Sequence, residues 1–233
     1  YASSCGLKKI RRKVDEWQDV FDHYIIEVSQ SLGIPSQLMK RLFAHESQFW
    51  PEMLETDYFE YGLGQLTELG ADTALLWNND FYAKFCPLVL HASKCQTNYS
   101  LLREEYQAQL RGALLTKTNI DHLRLAEGEI SIQAKESVAI FGETLYANSV
   151  QVSQIIQNIT GHIPGDITSY EDLWKFTLVN YHAGSGCLSQ AINANHQEGK
   201  TQNWENVTSQ LEYFCPTAVH YVERITKLQP GDQ

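Results

Sequence analysis

Apolar residues along this chain return at intervals of three and four, and almost nowhere at two, so the pattern predicts helices rather than strands. Val14, Trp17, Val20, Phe21, Tyr24, Ile25, Val28 and Leu32 set out a helix over 7–32 that Gly33 should end. A second helix follows at once. Pro35 suits its first turn, and Leu38, Met39, Leu42 and Phe43 form one apolar face. Residues 50–64, with Trp50, Pro51, Tyr58, Phe59, Tyr61, Gly62 and Gly64, carry no alternation of strand length and read as an ordered loop. A helix over about 67–77 comes next, then a loop-rich stretch over 78–97. Helical spacing returns over 98–124, 129–148 and, briefly, 150–160, closed by Gly161. Gly165-Asp166 marks a turn. An amphipathic helix over 169–182 should break at Gly184-Ser185-Gly186, and helices over 188–196 and 204–228 complete an all-α chain.

Composition narrows the partners. With 233 residues, 43% hydrophobic, the chain has enough apolar material for one substantial core. No apolar run is long enough to span a bilayer, and Tyr1-Ala2-Ser3-Ser4 is not a signal peptide. The net charge of −10 argues against nucleic acid, which is held by clustered Lys and Arg. The single basic run, 8–13, is followed directly by Asp15 and Glu16 and reads as a solvated helix face.

Five cysteines leave two histories open. Cys86 with Cys95 and Cys187 with Cys215, Cys5 left over, would suit an exported protein; free buried thiols would suit a cytosolic one. No C-x-x-C pair exists to build a zinc ribbon.

One position stands out chemically. Four residues beyond Leu42, the apolar face of the second helix reaches Glu46, beside Phe49. A carboxyl set among apolar groups at the negative end of a helix should have its pKa raised, as a general acid requires. The alternative is a surface Glu at the end of the stripe, turned to solvent. His45-Glu46 does not begin a zinc-protease motif, because position 49 is Phe where the second His belongs. A Cys–His nucleophile drawn from Cys86 or Cys187 with His182 has no supporting spacing.

The order of motifs resembles the lytic transglycosylases of the lysozyme-like superfamily. Gly33-Ile34-Pro35 opens a helix ending in Glu46-Ser47; Gly62-Leu63-Gly64-Gln65 follows closely; Tyr181-His182-Ala183-Gly184 comes much later. The family pattern is Glu-Ser, Gly-Leu-Met-Gln and Ala-Tyr-Asn-Ala-Gly. The likeness covers roughly 33–77 and 170–192. It implies a single lysozyme-like domain over 1–233, with an added N-terminal helix (7–32), the catalytic segment (33–77), a helical insertion (78–125) and the remaining helices (126–233). It also implies cleavage of the β-1,4 bond between N-acetylmuramic acid and N-acetylglucosamine in peptidoglycan strands, outside the cytoplasm, by a monomer with no cofactor and no metal. Glu46 then matches the acid/base. It would protonate the bridging oxygen and afterwards take the proton of the muramic C6 hydroxyl, which attacks C1 and leaves a 1,6-anhydro end. The sugar supplies its own nucleophile, so the second carboxylate of most glycosidases is not needed. Ser47 would act as a local hydrogen-bonding residue and Gln65 would line the sugar groove. Gly62 and Gly64, flanking Leu63, would let the backbone approach the substrate, and the Tyr181 hydroxyl would hold Glu46. His182 stands where Asn is usual, Gly64 where Met is common, and Phe59-Glu60 where Gly-Ala is expected. On the same fold, a hydrolysing muramidase would need a second carboxylate, with Glu55, Asp57 and Glu60 at hand. A catalytically silent glycan-binding module is the third reading.

Overall fold

A computed structural model of the chain describes residues 18–49, 60–120 and 127–227. Cys5, the basic run 8–13, the start of the first helix, Trp50, Glu55, Asp57, Phe59 and the end of the last helix lie outside the described residues.

The described chain is all-helical, its one β feature the antiparallel bridge between Tyr61 and Leu66. The helices are α1 (Asp22–Leu32), α2 (Ser36–Glu46), α3 (Glu68–Trp77), α4 (Asn79–Phe85), α5 (Glu104–Thr118), α6 (Glu127–Thr160), α7 (Pro164–Ile167), α8 (Tyr170–Gln197), α9 (Trp204–Phe214) and α10 (Pro216–Thr226). Short 3-10 turns cover Cys86–Leu88 and Tyr99–Leu101. No helix among the described residues is long and apolar enough to cross a membrane.

Where the sequence predicts one domain over 1–233, the structure divides into two compact units, each assembled from two separate stretches of chain. One holds 1–68 and 108–142; the other holds 69–107 and 143–233.

The first unit is built around aromatic rings. Phe21, Phe43, Phe49 and Phe141 are all 0–1% exposed. Phe49 stacks on Phe21 at 5.8 Å between centroids and meets Phe43 edge-on at 6.3 Å. Phe141, from α6, lies 4.7 Å from Phe43. One turn of α6 comes so near α1 and α2 that a β-carbon at Gly142 would overlap Val28. At the surface, Lys40 of α2 bonds Asp22 of α1 at 2.7 Å and Asp19 at 3.3 Å.

The second unit packs α8, α9 and α10 against one another. Their apolar faces, including Phe176, Leu188 and Ile192 of α8, Val207 and Leu211 of α9, and Val222 and Ile225 of α10, are 0–1% exposed. Two disulfides staple this unit, Cys86–Cys95 and Cys187–Cys215. The exported-protein pairing is therefore the one found, and the Cys–His nucleophile is ruled out because both sulfurs are already bonded.

Several element boundaries differ from those predicted. The stretch read as loop over 78–97 contains α4, capped where Asn78 Oδ1 accepts from Phe81 N at 3.1 Å. The helices expected over 129–148 and 150–160 are one element, α6. The helix expected over 204–228 is two, parted at Cys215 and restarted by Pro216. Pro35 precedes the first turn of α2 rather than lying within it.

Candidate active site

The face predicted for α2 is the one it buries: Leu38, Met39, Leu42 and Phe43 all lie in the core. Glu46 is the last helical residue and is half-buried. The chain turns sharply just after it. The carbonyl oxygen of Phe43 accepts from Ser47 N and Ser47 Oγ, both at 3.1 Å, and from Phe49 N at 3.4 Å. The Ser47 side chain thus bonds back one turn into α2. Gln48 and Phe49 hold φ of 52° and 62°, a left-handed conformation uncommon outside glycine. Burial of the Phe49 ring against Phe21 and Phe43 offsets that strain. The backbone at Glu46 is therefore held from both sides, by a packed helix before it and by an anchored aromatic after it.

The Gly62-Leu63-Gly64-Gln65 segment makes the tip of a tight loop. Tyr61 N donates to Leu66 O at 3.0 Å, and Leu66 N donates back to Tyr61 O at 2.8 Å. Gln65, at φ 53°, folds over this tip, its backbone N and its side-chain Nε2 donating to Gly62 O at 3.2 and 2.9 Å. Leu63 and Leu66 are 0–1% exposed and serve the core.

The two glycines have a reason other than the predicted approach to substrate. Gly62 has φ +67°, and a β-carbon there would overlap the Thr118 carbonyl; one at Gly64 would overlap the Phe141 ring. The space a side chain would take at both positions is filled by the protein itself. Sequence reasoning missed Phe141, which contacts Phe43 of α2 and lies against Gly64. It seats the Glu46-bearing helix and the loop on one ring. Its only sequence signal is its place on the apolar stripe of α6.

Tyr181 and His182 belong to α8 of the second unit, whereas Glu46, Ser47 and 62–65 belong to the first. Tyr181 is half-buried and His182 exposed. The residue before them, Asn180, is 4% exposed and donates to Asn148 Oδ1 at 2.7 Å and Gln151 Oε1 at 2.8 Å on α6. A buried amide network of this kind fixes the rotation of a helix about its axis. It was also missed, because a lone Asn in a helical stripe gives no signal of its own. The His182 ring lies parallel to Tyr221 of α10, 4.1 Å between centroids with 8° between planes. The predicted break falls at Gly184, with φ 81° and ψ 166°, but the helix resumes beyond it.

Glu60, the one described member of the acidic trio, is half-buried at the base of the loop. Among the described residues no three His, Cys, Asp or Glu side chains converge as metal ligands would. A cavity of about 470 Å³ in the second unit is lined by Thr160, His162, Asp166, His196, Lys200 and Gln202, among others. None of the candidate site residues expected from the sequence lines it.

Compared with known protein families, with curated proteins and with solved structures, the chain matches none of them.

Proposed function

We propose that the protein is a peptidoglycan lytic transglycosylase acting outside the cytoplasm, with Glu46 as its only acid/base. The observation that carries this reading is the joint seating of two motif segments. The helix ending in Glu46 and the Gly62–Gln65 loop meet on Phe141, inside one unit, each held by its own hydrogen bonds. A general acid needs a carboxyl whose position does not drift relative to the bond being broken. The backbone that carries Glu46 supports that need, with the helix before it and Phe49 after it both packed in the core. The two disulfides fit an oxidising compartment.

In the proposed reaction the Glu46 carboxyl gives its proton to the bridging oxygen as the C1–O bond breaks, and the electron pair leaves with that oxygen. The resulting carboxylate removes the proton of the muramic C6 hydroxyl, whose oxygen closes onto C1. Glu46 is reprotonated, and a 1,6-anhydro end remains. Water takes no part, so no second carboxylate is required.

The test is digestion of purified peptidoglycan followed by mass analysis of the products. The unsubstituted chain should release anhydromuramic ends. Glu46→Gln should lower the rate by roughly 10²- to 10⁴-fold while retaining glycan binding. Reducing ends in place of anhydro ends would make the protein a hydrolysing muramidase. Absence of any cleavage by the unsubstituted chain would overturn the enzymatic reading.

A further inference from the structure

The cavity of about 470 Å³ in the second unit is built where the two ends of α8 meet. Thr168, just before α8, donates its hydroxyl at 2.9 Å to the carbonyl oxygen of Gln202, just beyond the other end of that helix. Both residues line the cavity and both are buried, Thr168 at 9% exposure and Gln202 at 2%. The Gln202 amide can be oriented in only one way. Asn195 Nδ2 donates to Thr201 O at 3.0 Å and to Lys200 O at 3.5 Å, so a nitrogen, not an oxygen, must stand there. Gln202 therefore turns its Oε1 to that nitrogen, at 3.1 Å. Its Nε2 is left buried, with no acceptor among the described residues. A folded protein seldom leaves such a donor unmet, because the group has lost its water and gained nothing in return.

Around this buried floor stand three side chains with nitrogen donors, His162, His196 and Lys200, and one carboxylate, Asp166. All four are exposed. Lys200 bonds Glu198 at 2.7 Å. The two imidazoles and Asp166 form no side-chain bond to another described residue.

We propose that this cavity binds a small zwitterion, a free α-amino acid or a short peptide. Its carboxylate accepts from Gln202 Nε2 and from the basic rim, and its ammonium faces Asp166. An unmet donor at the floor calls for an acceptor, and an ionised acceptor makes the stronger bond. Asp166 on the same rim suits a cationic group and repels a dianion such as phosphate. The volume falls within the roughly 300–1,000 Å³ of small-molecule sites, which leaves room for a side chain or a second residue. Every lining residue lies between positions 160 and 202, within one unit, and none belongs to the glycan machinery proposed above.

The experiment is an NMR titration of the full chain that follows the side-chain amide of Gln202. The probes are alanine, dialanine, acetate, ethylamine and inorganic phosphate. Alanine or dialanine should shift that amide and bind roughly tenfold more tightly than acetate or ethylamine, about the effect of one charge-assisted hydrogen bond. Whichever of the two binds more tightly tells a free amino acid from a peptide. Asp166→Asn should weaken alanine and dialanine roughly five-fold and leave acetate unchanged, whereas Lys200→Met should weaken all three. Gln202→Glu keeps an oxygen toward Asn195 but replaces the donor with a second oxygen, and should abolish binding. Asp166 and Lys200 are exposed, so their variants decide the question even where Gln202→Glu does not fold. An amide unmoved by every probe, met by water only, would overturn the inference. So would phosphate binding more tightly than alanine and dialanine, or unchanged affinity for both in Asp166→Asn.

Discussion

At Gly62 and Gly64 the same residue type answers two different constraints. Gly62 needs both a left-handed backbone and the absence of a side chain against Thr118, so Gly62→Ala should cost about 2 kcal/mol or more. Gly64 needs only the absence of a side chain, because Phe141 fills that space. Gly64→Ala should cost about 1–3 kcal/mol by displacing the ring. Urea denaturation would rank the two. Titration adds a pH signature. Burial alone would lower the Lys40 pKa, but hydrogen bonds and attraction from Asp22 and Asp19 outweigh it and hold the ammonium above its ordinary 10.5. Burial likewise pushes the Tyr82 phenol above its ordinary 10.0. In both cases the folded state favours the protonated form. The stability they contribute is full below the ordinary values and is lost as pH rises through the native ones. Glu198, bonded by Lys200 and Gln210, and Glu223, bonded by Lys227, are held below 4.5. Their contribution is present above that value and lost as pH falls. Thermal melts across pH should therefore fall off at both ends, and Lys40→Met should remove part of the alkaline decline, at a cost below about 1 kcal/mol near neutrality.

Among elements, helix faces were legible and helix ends were not. Periodicity identified the buried stripe of α2 residue by residue, including the approach to Glu46. It failed at α4, whose seven residues are too few to display a period and whose signal is the Asn78 cap. It split α6 near 149, although nothing there breaks a helix. Ser149 and Ser153 bond back to Tyr146 O and Ser149 O and leave the ladder whole. It ran α9 into α10 despite Pro216, which starts a new helix because its missing N–H costs nothing in a first turn. The kink in α8 was legible because φ 81° with ψ 166° belongs almost to glycine alone. Gly184→Ala should cost about 1–3 kcal/mol, read from the urea midpoint, while leaving the Gly62 loop of the other unit unchanged in amide exchange. Within the candidate site, the sequence singled out Glu46 and the loop. It did not reveal Phe141, which acts through a neighbour distant in the chain; in the second unit the Asn180 network and the Tyr221 stack were hidden for the same reason.

For the molecule as a whole, the division into two units was beyond a local reading, since each unit joins stretches that lie far apart in sequence. The disulfides show the same asymmetry: both lie in the second unit. Cys187–Cys215 closes a separation of 28 residues and Cys86–Cys95 one of 9. Loop-closure entropy then assigns them about 3.6 and 2.6 kcal/mol. Paired Cys→Ser variants should follow that order in thermal stability, and reductant should lower the melting temperature of the parent but not that of a variant lacking both bridges.

The first unit is interrupted: residues 69–107 belong to its neighbour, and Phe141 arrives after them. During synthesis, Phe43 and Phe49 are made long before the ring that Phe43 packs against. At ribosomal speed the wait is on the order of ten seconds. For that interval the Glu46-bearing helix is an unfinished, sticky nascent segment. A chaperone should be found on arrested chains ending near 110 and should be gone from those extended well past 142.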